Sequence, residues 1–355
     1  MIRCFKNDVM IIESDNIQLM EKLYRLYKIP HYKQKSVEWL RQRNDYLTAS
    51  TIMAVMSDKN SLGRMNMLAN KVSNGEMYKF SGNVATNWGN KYEPVANSVY
   101  SHRNNLVIHE FGLIPCLNKK FSILAASPDG ITSSGKMLEI KCPYSRVIDG
   151  KIKNEYYHQM QQQMAVCDFD KCDFLECKFI ELSAEMFWED FEYNLQHHRV
   201  EGFEPEQGVI ISFMRGVYDD EGNRDDFELD RVYSPANMYN DKERLHKWYN
   251  KHIKLITEET QPDEEELVYV STVYWRLNVY NCQEVCKDND WLEDNYDKFK
   301  QFWDDVVQYR KIHIDEFKVI EEKFREEKKC VRTPSPTTSE SDRKKMLDIL
   351  NDDKI

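Results

Sequence analysis

Long apolar runs are missing from this sequence of 355 residues. No stretch reaches the roughly 18 consecutive apolar residues that a membrane-spanning helix needs, so such a helix is excluded. Residues 1–8 lack the apolar segment of a signal peptide. The nine cysteines are scattered without the spacing of a secreted disulfide framework, which indicates a reducing compartment. We therefore expect an intracellular, non-secreted protein that does not bind membranes.

Positive charge is also scarce. Lysine and arginine number 49 against 60 aspartates and glutamates, which gives a net charge of −11. A chain with this balance repels nucleic acid as a whole. The basic residues are unevenly placed, however, and cluster in two stretches: Lys33, Lys35, Arg41 and Arg43, and then Arg146, Lys151 and Lys153. We expect these stretches to form a local positive channel that attracts phosphate.

Two short motifs lie close together in the chain, Ser-Pro-Asp-Gly at residues 127–130 and Leu-Glu-Ile-Lys-Cys-Pro at residues 138–143. An aspartate followed by Glu-x-Lys on a short apolar run is typical of metal-dependent phosphodiester cleavage. A plainer interpretation also fits, in which the Glu-x-Lys is only an ion pair on a surface hairpin. The coincidence of the aspartate, the turn and the apolar frame favours the catalytic interpretation.

The expected geometry of these motifs follows from strand periodicity. If residues 136–142 form a strand, Glu139 and Lys141 face one side and Ile140 faces the core. A turn centred on Ser134 places Asp129 opposite Glu139, with Cβ atoms about 4.5–5.5 Å apart. Two carboxylates at this distance ionise together only when a cation lies between them, and Mg²⁺ prefers such oxygen ligands.

Five sequence blocks follow one another in the first half of the chain. They are Trp-x-x-x-Arg with Thr-Ala-Ser (39–50), Trp-Gly-x-x-Tyr-Glu (88–93), Ser-Pro-Asp-Gly (127–130), Leu-Glu-Ile-Lys-Cys-Pro (138–143) and Tyr-x-x-Gln-x-Gln (156–161). This ordered set resembles the phage lambda exonuclease family, the YqaJ-type viral recombinase branch of the PD-(D/E)xK nucleases. Versions from large eukaryotic DNA viruses are the most similar in size and tail, which would imply host cytoplasm or nucleus.

The resemblance implies an α/β (α+β) fold with a restriction-endonuclease-like core, in which helices flank a central mixed β-sheet. It implies that Asp129, Glu139 and the backbone carbonyl of Ile140 are metal ligands. It implies further that Glu93, a catalytic residue on a helix, completes the metal site as a ligand and that Lys141 is the catalytic lysine.

The resemblance also assigns residues that meet the substrate. Gln159 would contact the scissile region, while Arg43 and Ser50 would hold a 5′-terminal phosphate, for which the planar guanidinium fork is well suited. The implied cofactor is Mg²⁺, two ions per site, with Mn²⁺ able to substitute. No iron–sulfur cluster is expected, because the spacing of Cys172 and Cys177 places them on opposite faces of a strand.

The predicted function is a Mg²⁺-dependent 5′-to-3′ exodeoxyribonuclease. It would degrade one strand of duplex DNA with 5′-phosphorylated ends to 5′-mononucleotides and leave 3′ overhangs for viral recombination, repair or maturation. Two alternatives stay open: a structure-selective or restriction-like endonuclease of the junction-resolvase type, and a DNA-end-binding scaffold that recruits an annealing protein. The resemblance further implies a single-strand annealing partner and a homotrimer.

Four regions are predicted along the chain. They are an N-terminal helical extension (1–30), the nuclease core (31–200), a C-terminal α+β elaboration packed on the core (201–328) and a disordered tail (329–355). In the elaboration we expect a pair of strands within residues 267–285. After it, apolar residues recur at helical spacing from Trp291, which indicates a helix with a buried face.

Overall fold

The protein was analysed as a computed structural model. The residues it describes are 17–77, 82–199, 203–218, 224–257 and 267–332. Of the predicted disordered tail (329–355), residues 329–332 belong to the last helix, and residues 333–355 lie outside the described residues. Within the described ranges no helix is long and apolar enough to cross a membrane.

The described residues form the following helices and strands. The helices are α1 Ile17–Tyr27, α2 Val37–Arg43, α3 Ile52–Met56, α4 Leu62–Val72, α5 Val84–Asn104, α6 Asn154–Cys167, α7 Ala184–Trp188, α8 Phe191–His197, α9 Lys242–Thr257, α10 Trp291–Tyr309 and α11 Ile314–Arg332. The strands are β1 Leu47–Thr48, β2 Ile108–His109, β3 Ile114–Pro115, β4 Leu124–Ala126, β5 Gly130–Thr132, β6 Met137–Lys141, β7 Lys171–Leu182, β8 Gln207–Tyr218, β9 Arg224–Tyr233 and β10 Leu267–Cys286.

Seven of the strands form one mixed sheet in the order β2-β5-β6-β7-β10-β8-β9. β6 and β7 run parallel, whereas the other neighbours are antiparallel. Since β6 and β7 are parallel, a crossover must connect them, and α6 provides it. A second sheet has the order β1-β4-β3. The predicted fold class, a central mixed sheet flanked by helices, is confirmed.

The core of the large sheet lies between its middle strands and α5. Val95 and Val99 of α5 pack against Leu138 of β6, Leu175 of β7 and Trp275 of β10, and all five are almost completely buried. This packing fixes α5 over the strands that carry the two central motifs. Helix α5 therefore places its polar residues, Glu93 among them, in a fixed position relative to β5 and β6.

The predicted strand pair within residues 267–285 is wrong. The structure has a single strand of 20 residues, β10, which pairs with β8 along its first half and with β7 along its second half. Register shifts occur between Tyr269 and Ser271 and between Leu277 and Val279. Such bulges bend a strand without ending it, so one strand can serve two neighbours where the sequence indicated a turn.

The chain divides into two compact units. The first comprises Met1–Ile52 with Phe80–Asp294, and the second comprises Met53–Lys79 with Asn295–Ile355. This division differs from the predicted boundary at residue 200, because β8, β9 and β10 belong to the same sheet as β6 and β7.

The second unit contains α4, α11 and most of α10. Phe299, Phe302 and Val306 of α10 are fully buried, which confirms the predicted apolar face, whereas Val307 is exposed. The buried Arg64 of α4 donates from Nη2 to Asp305 Oδ2 at 2.9 Å. A buried guanidinium needs such a partner, because an unpaired charge in the interior is costly.

Candidate active site

The two central motifs form one hairpin. β5 pairs with β6 so that Gly130 lies opposite Leu138, which places Asp129 opposite Glu139 one step further along. The predicted turn centred on Ser134 is confirmed by this register. The hairpin therefore brings two carboxylates together by local backbone geometry alone.

The glycine of the first motif is required by a close approach. A Cβ atom at position 130 would lie 2.3 Å from Ile108 Cγ2 on the neighbouring β2. A larger residue fits here only if the Ile108 side chain moves, so Gly130 allows the hairpin to pack closely against β2.

Glu139 is completely buried, and its carboxylate is surrounded by donors. Gln159 Nε2 donates to Oε1 at 2.7 Å, and Gln163 Nε2 donates to Oε2 at 2.7 Å. Both glutamines lie on α6, four residues apart and thus on one helix face. The ammonium of Lys141 also contacts Oε1. These contacts replace the water that the buried carboxylate has lost.

Lys141 lies at the boundary between this buried group and solvent. Its side chain is 26% exposed, and its ammonium lies 5.2 Å from the centre of the Tyr156 ring. Burial by itself would lower the pKa of Lys141, but the carboxylates of Glu139 and Asp129 raise it above the ordinary lysine value. Lys141 is therefore held as a cation beside the two carboxylates.

Asp129 is a carboxylate in a strongly unfavourable position for its charge. Its Oδ2 atom accepts a hydrogen bond of 2.6 Å from the backbone N–H of Ile140. Burial raises the pKa of the Asp129 carboxyl well above its ordinary value, and the negative charges of Glu139 and Glu93 raise it further. A bound cation would relieve this repulsion.

Glu93 reaches the site from α5, where it faces Lys35 at 3.7 Å between Oε2 and Nζ. Glu110, a carboxylate that the sequence did not suggest, lies near both. Partial burial raises the pKa of Glu110, the charge of Glu93 raises it further, and Lys35 opposes this effect. Asn97 Nδ2 donates to Glu110 Oε1 at 3.3 Å. No sequence signal marked Glu110, because it has no motif around it.

The predicted metal ligands are only partly assembled. Among the residues that the structure describes, no three His, Cys, Asp or Glu side chains are arranged as one ligand group. Glu139 faces its donors on α6 and Glu93 faces Lys35, while Asp129 Oδ1 has no hydrogen bond within the described residues. The assignment of Asp129, Glu139, Glu93 and the Ile140 carbonyl to a metal stays a prediction.

The residues present nevertheless suit a hard divalent cation. Oxygen donors from two opposed carboxylates are the ligands that Mg²⁺ prefers. The N–H of Ile140 points to Asp129, and in a strand the C=O of the same residue points to the same side. The Ile140 carbonyl therefore lies on the side of β6 that Asp129 occupies, so a third oxygen is available.

Arg43 and Ser50 are brought together as predicted. Arg43 Nη2 donates to Ser50 Oγ at 2.9 Å and to Thr48 Oγ1 at 3.2 Å. The guanidinium carbon lies 4.4 Å from the centre of the Trp39 ring. Burial lowers the pKa of Arg43 to about 10, which leaves it charged at neutral pH. A cation and a hydroxyl in contact form a suitable place for an anion.

Trp39 connects this pair to the carboxylate hairpin. Its ring N–H donates to Ser127 Oγ at 3.3 Å, two residues before Asp129. Trp39 itself is held at the start of α2, where its backbone N–H donates to the capping hydroxyl of Ser36. The first and third sequence blocks are therefore in direct contact, through the hydrogen bond from Trp39 to Ser127.

The second predicted basic stretch is partly used within the protein. Arg146 Nη2 contacts the fully buried carboxylate of Glu176. Lys153 Nζ lies 3.7 Å from Glu155 Oε1. Arg146 therefore stabilises a buried charge, and the positive channel expected from these residues is weaker than their number indicates.

The family comparison agrees with the site. Residues 38–170 match the model of the YqaJ-like viral recombinase domain. This part of the chain is similar to the YqaJ-like viral recombinase domain. The matched residues enclose Arg43, Ser50, Glu93, the hairpin and α6. The resemblance expected from the five sequence blocks is confirmed.

The chain is also similar to a viral protein and to solved exonuclease structures. An uncharacterised protein of Acanthamoeba polyphaga mimivirus is 33% identical over 327 residues, which cover 85% of this chain and 57% of that protein. The chain thus spans little more than half the length of this viral relative. A crystal structure of an alkaline exonuclease from Laribacter hongkongensis is 20% identical, with a TM-score of 0.44, and covers 81% of this chain and 99% of its own. A phage-related exonuclease from Haemophilus somnus is 13% identical, with a TM-score of 0.39, and covers 75% and 93%.

Proposed function

We propose that this protein is a Mg²⁺-dependent exodeoxyribonuclease that degrades one strand of duplex DNA from a 5′ end. The products would be 5′-mononucleotides and a 3′ single-stranded overhang, which recombination, repair or maturation of viral DNA could use. The presence of a viral recombinase domain supports DNA as the substrate.

The main support for the proposal is that Arg43 and Ser50 are connected to the hairpin of Asp129 and Glu139. Arg43 donates a hydrogen bond to Ser50 at 2.9 Å, and its guanidinium lies over the Trp39 ring. The ring N–H of Trp39 donates a hydrogen bond to Ser127, two residues before Asp129. A terminal phosphate at Arg43 would hold the end of a strand beside the carboxylates. An enzyme that cuts within a continuous strand does not need a site for a terminal phosphate.

The chemistry needs a divalent cation, which would stabilise negative charge on the phosphate and activate a water. Asp129, Glu139 and the Ile140 carbonyl would hold this ion. Gln159 and Gln163 keep the Glu139 carboxylate oriented, since each bonds one of its oxygens. Lys141 would orient the attacking water or stabilise the charge that develops on the phosphate.

The test is a comparison of DNA substrates in Mg²⁺. Linear duplex with 5′-phosphorylated ends, the same duplex with a nick, and covalently closed circular duplex should be incubated with the full chain and with a Lys141→Ala control. We expect mononucleotides from the linear duplex, no cleavage of the closed circle, and no products from the control. Omission of Mg²⁺ should stop the reaction.

Other outcomes would replace the proposal. Cleavage of the closed circle would point to an endonuclease. Tight binding of DNA ends with no cleavage in Mg²⁺ or Mn²⁺ would point to an end-binding scaffold. Release of nucleotides from the 3′ end would reverse the proposed polarity.

A further inference from the structure

The loop of residues 31–36, between α1 and α2, is held against the candidate site. Gln34 Nε2 donates to the carbonyl oxygen of Phe111 at 2.8 Å and lies 3.4 Å from that of Pro128. Pro128 directly precedes Asp129, so one side chain ties the loop to the carboxylate hairpin. These contacts fix the loop relative to the site.

A close backbone contact holds the same loop from a second side. A Cβ atom at Gly112 would lie 2.4 Å from the carbonyl oxygen of Tyr32. Any other residue at position 112 would therefore push the loop away from the sheet. The close contact between the loop and the sheet thus depends on Gln34 of the loop and on Gly112 of the segment that it meets.

Lys35 occupies a strained position in this loop. Its φ angle is +72°, in the left-handed region that suits glycine and that side chains rarely adopt. The backbone alone would favour glycine here, yet the residue carries a long cationic side chain. Strain of this kind at a candidate site suggests that the side chain itself is used.

The Lys35 side chain is directed at the carboxylates of the site. Its ammonium lies 3.7 Å from Glu93 Oε2, and the two side chains are 53% and 35% exposed. An ion pair this open to solvent contributes little to folding. The ammonium can therefore leave Glu93 for a stronger partner that arrives from solvent.

We propose that Lys35 is a substrate-contacting residue that binds a phosphate of the DNA strand being cut. In the free protein its ammonium neutralises Glu93, and with DNA bound it pairs with a backbone phosphate next to the scissile bond. This inference rests on the proposed nuclease function, and it adds a contact that none of the five sequence blocks contains. A phosphate offers a full charge and several acceptor oxygens, so it competes well with a single exposed carboxylate.

The experiment measures DNA affinity against salt in a Lys141→Ala background with Mg²⁺, so that the DNA stays intact. A fluorescent duplex with a 5′-phosphate and a short 3′ overhang is titrated with this parent protein, and with the parent carrying Lys35→Gly, Lys35→Arg or Lys28→Gly. Glycine suits the φ angle at position 35, so Lys35→Gly removes the charge without straining the fold. Lys28 is an exposed lysine just after α1, outside the basic stretch that begins at Lys33, and serves as the control.

We expect Lys35→Gly to weaken binding and to reduce the slope of log Kd against log salt by about one, since one fewer phosphate is neutralised. Lys35→Arg should keep the slope of the parent, and so should Lys28→Gly. In the cleaving protein, Lys35→Gly should raise KM more than it lowers kcat. An unchanged slope in Lys35→Gly, or an equal drop in Lys28→Gly, overturns the proposal.

Failure of the nuclease function gives a different result. If the protein without substitutions binds DNA and cleaves none of it, the proposed activity is wrong, while the salt slopes still report on Lys35. If that protein cleaves and Lys35→Gly binds and cleaves equally well, only the role of Lys35 is wrong.

Discussion

Two parts of the candidate site differ in the surroundings of their charged groups. They are the carboxylate centre around Glu139 and the arginine pair, which is Arg43 with Ser50. Glu139 is fully buried, and three side-chain donors from β6 and α6 surround it. Arg43 instead contacts the exposed hydroxyl of Ser50 at the edge of the site. The negative charge of Glu139 is therefore compensated by groups of the protein itself. The pair of Arg43 and Ser50 lies next to solvent, from which an anion can reach it.

The largest expected effect tests the carboxylate centre. Asp129→Ala, Glu139→Ala and Lys141→Ala should each lower kcat by at least about two to four orders of magnitude, as expected for loss of a catalytic group. The two carboxylate changes should also weaken Mg²⁺ binding, which calorimetric titration would measure. Lys141→Ala should not weaken it, because an ammonium is not a ligand and here competes for Glu139.

Two results would contradict these separate roles. Equal loss of Mg²⁺ affinity in all three variants would mean that Lys141 acts on the fold of the site and not on the reaction. Near-normal cleavage by any one variant would remove that residue from the chemistry.

The second prediction tests the arginine pair. A charge-assisted contact contributes about 1.5–3 kcal/mol, so Arg43→Ala should slow initiation on 5′-phosphorylated ends by one to two orders of magnitude. Initiation on 5′-hydroxyl ends should change little, and Mg²⁺ affinity should be unchanged. Arg43→Lys should recover the preference in part, because the ammonium lacks the planar fork. Initial rates on the two end types provide the measurement.

Arg41→Ala is the matched control, since Arg41 is an exposed arginine of the same short helix. It should keep the preference for phosphorylated ends. Equal rates on both end types for the protein without substitutions would remove the assignment of Arg43 and Ser50 to a phosphate.

The third prediction, with the smallest effect, tests the hydrogen bond from Gln163 to the Glu139 carboxylate. Gln163→Met leaves Glu139 Oε2 without its donor and should lower Mg²⁺ affinity by about tenfold, the lower end of the range for partners of metal ligands. Gln162→Met is the control, because the adjacent glutamine is equally buried but bonds the carbonyl oxygens of Leu47 and Ala125. That variant should lose thermal stability and keep its Mg²⁺ affinity.

A different outcome would change the picture of the centre. If both glutamine variants lose stability and neither changes Mg²⁺ affinity, Gln163 has a packing role only. The orientation of Glu139 would then depend on Gln159 and Lys141.

Much of the hairpin could be predicted because its geometry is local. The alternation of side chains along a strand places Glu139 and Lys141 on one face, and a turn at Ser134 places Asp129 opposite. Gln163 could have been found in the same way, since it lies one helical turn after Gln159. The pairing of Arg43 with Ser50 depended on the resemblance, because Arg43 ends α2 whereas Ser50, seven positions later, follows β1.

Local patterns could not predict how distant segments meet. The carboxylates of Glu93 and Glu110 interact only because α5 packs over the sheet and the segment after β2 turns beside it. β10 looked like two strands because its bulges interrupt the alternation, and a bulge and a turn leave similar traces in a sequence.

Residues close together in the chain were enough to predict the register of the β5–β6 hairpin, the face that Glu139 shares with Lys141, and the resemblance to the recombinase family. The packing of α6 against Glu139, the contact of Arg146 with the buried Glu176 and the contact of Lys35 with Glu93 depend instead on the tertiary structure. The contacts of Gln163 with Glu139, of Arg146 with Glu176 and of Lys35 with Glu93 join residues 24, 30 and 58 positions apart. Their energies depend on burial and on the neighbours that packing provides, which residue spacing does not record.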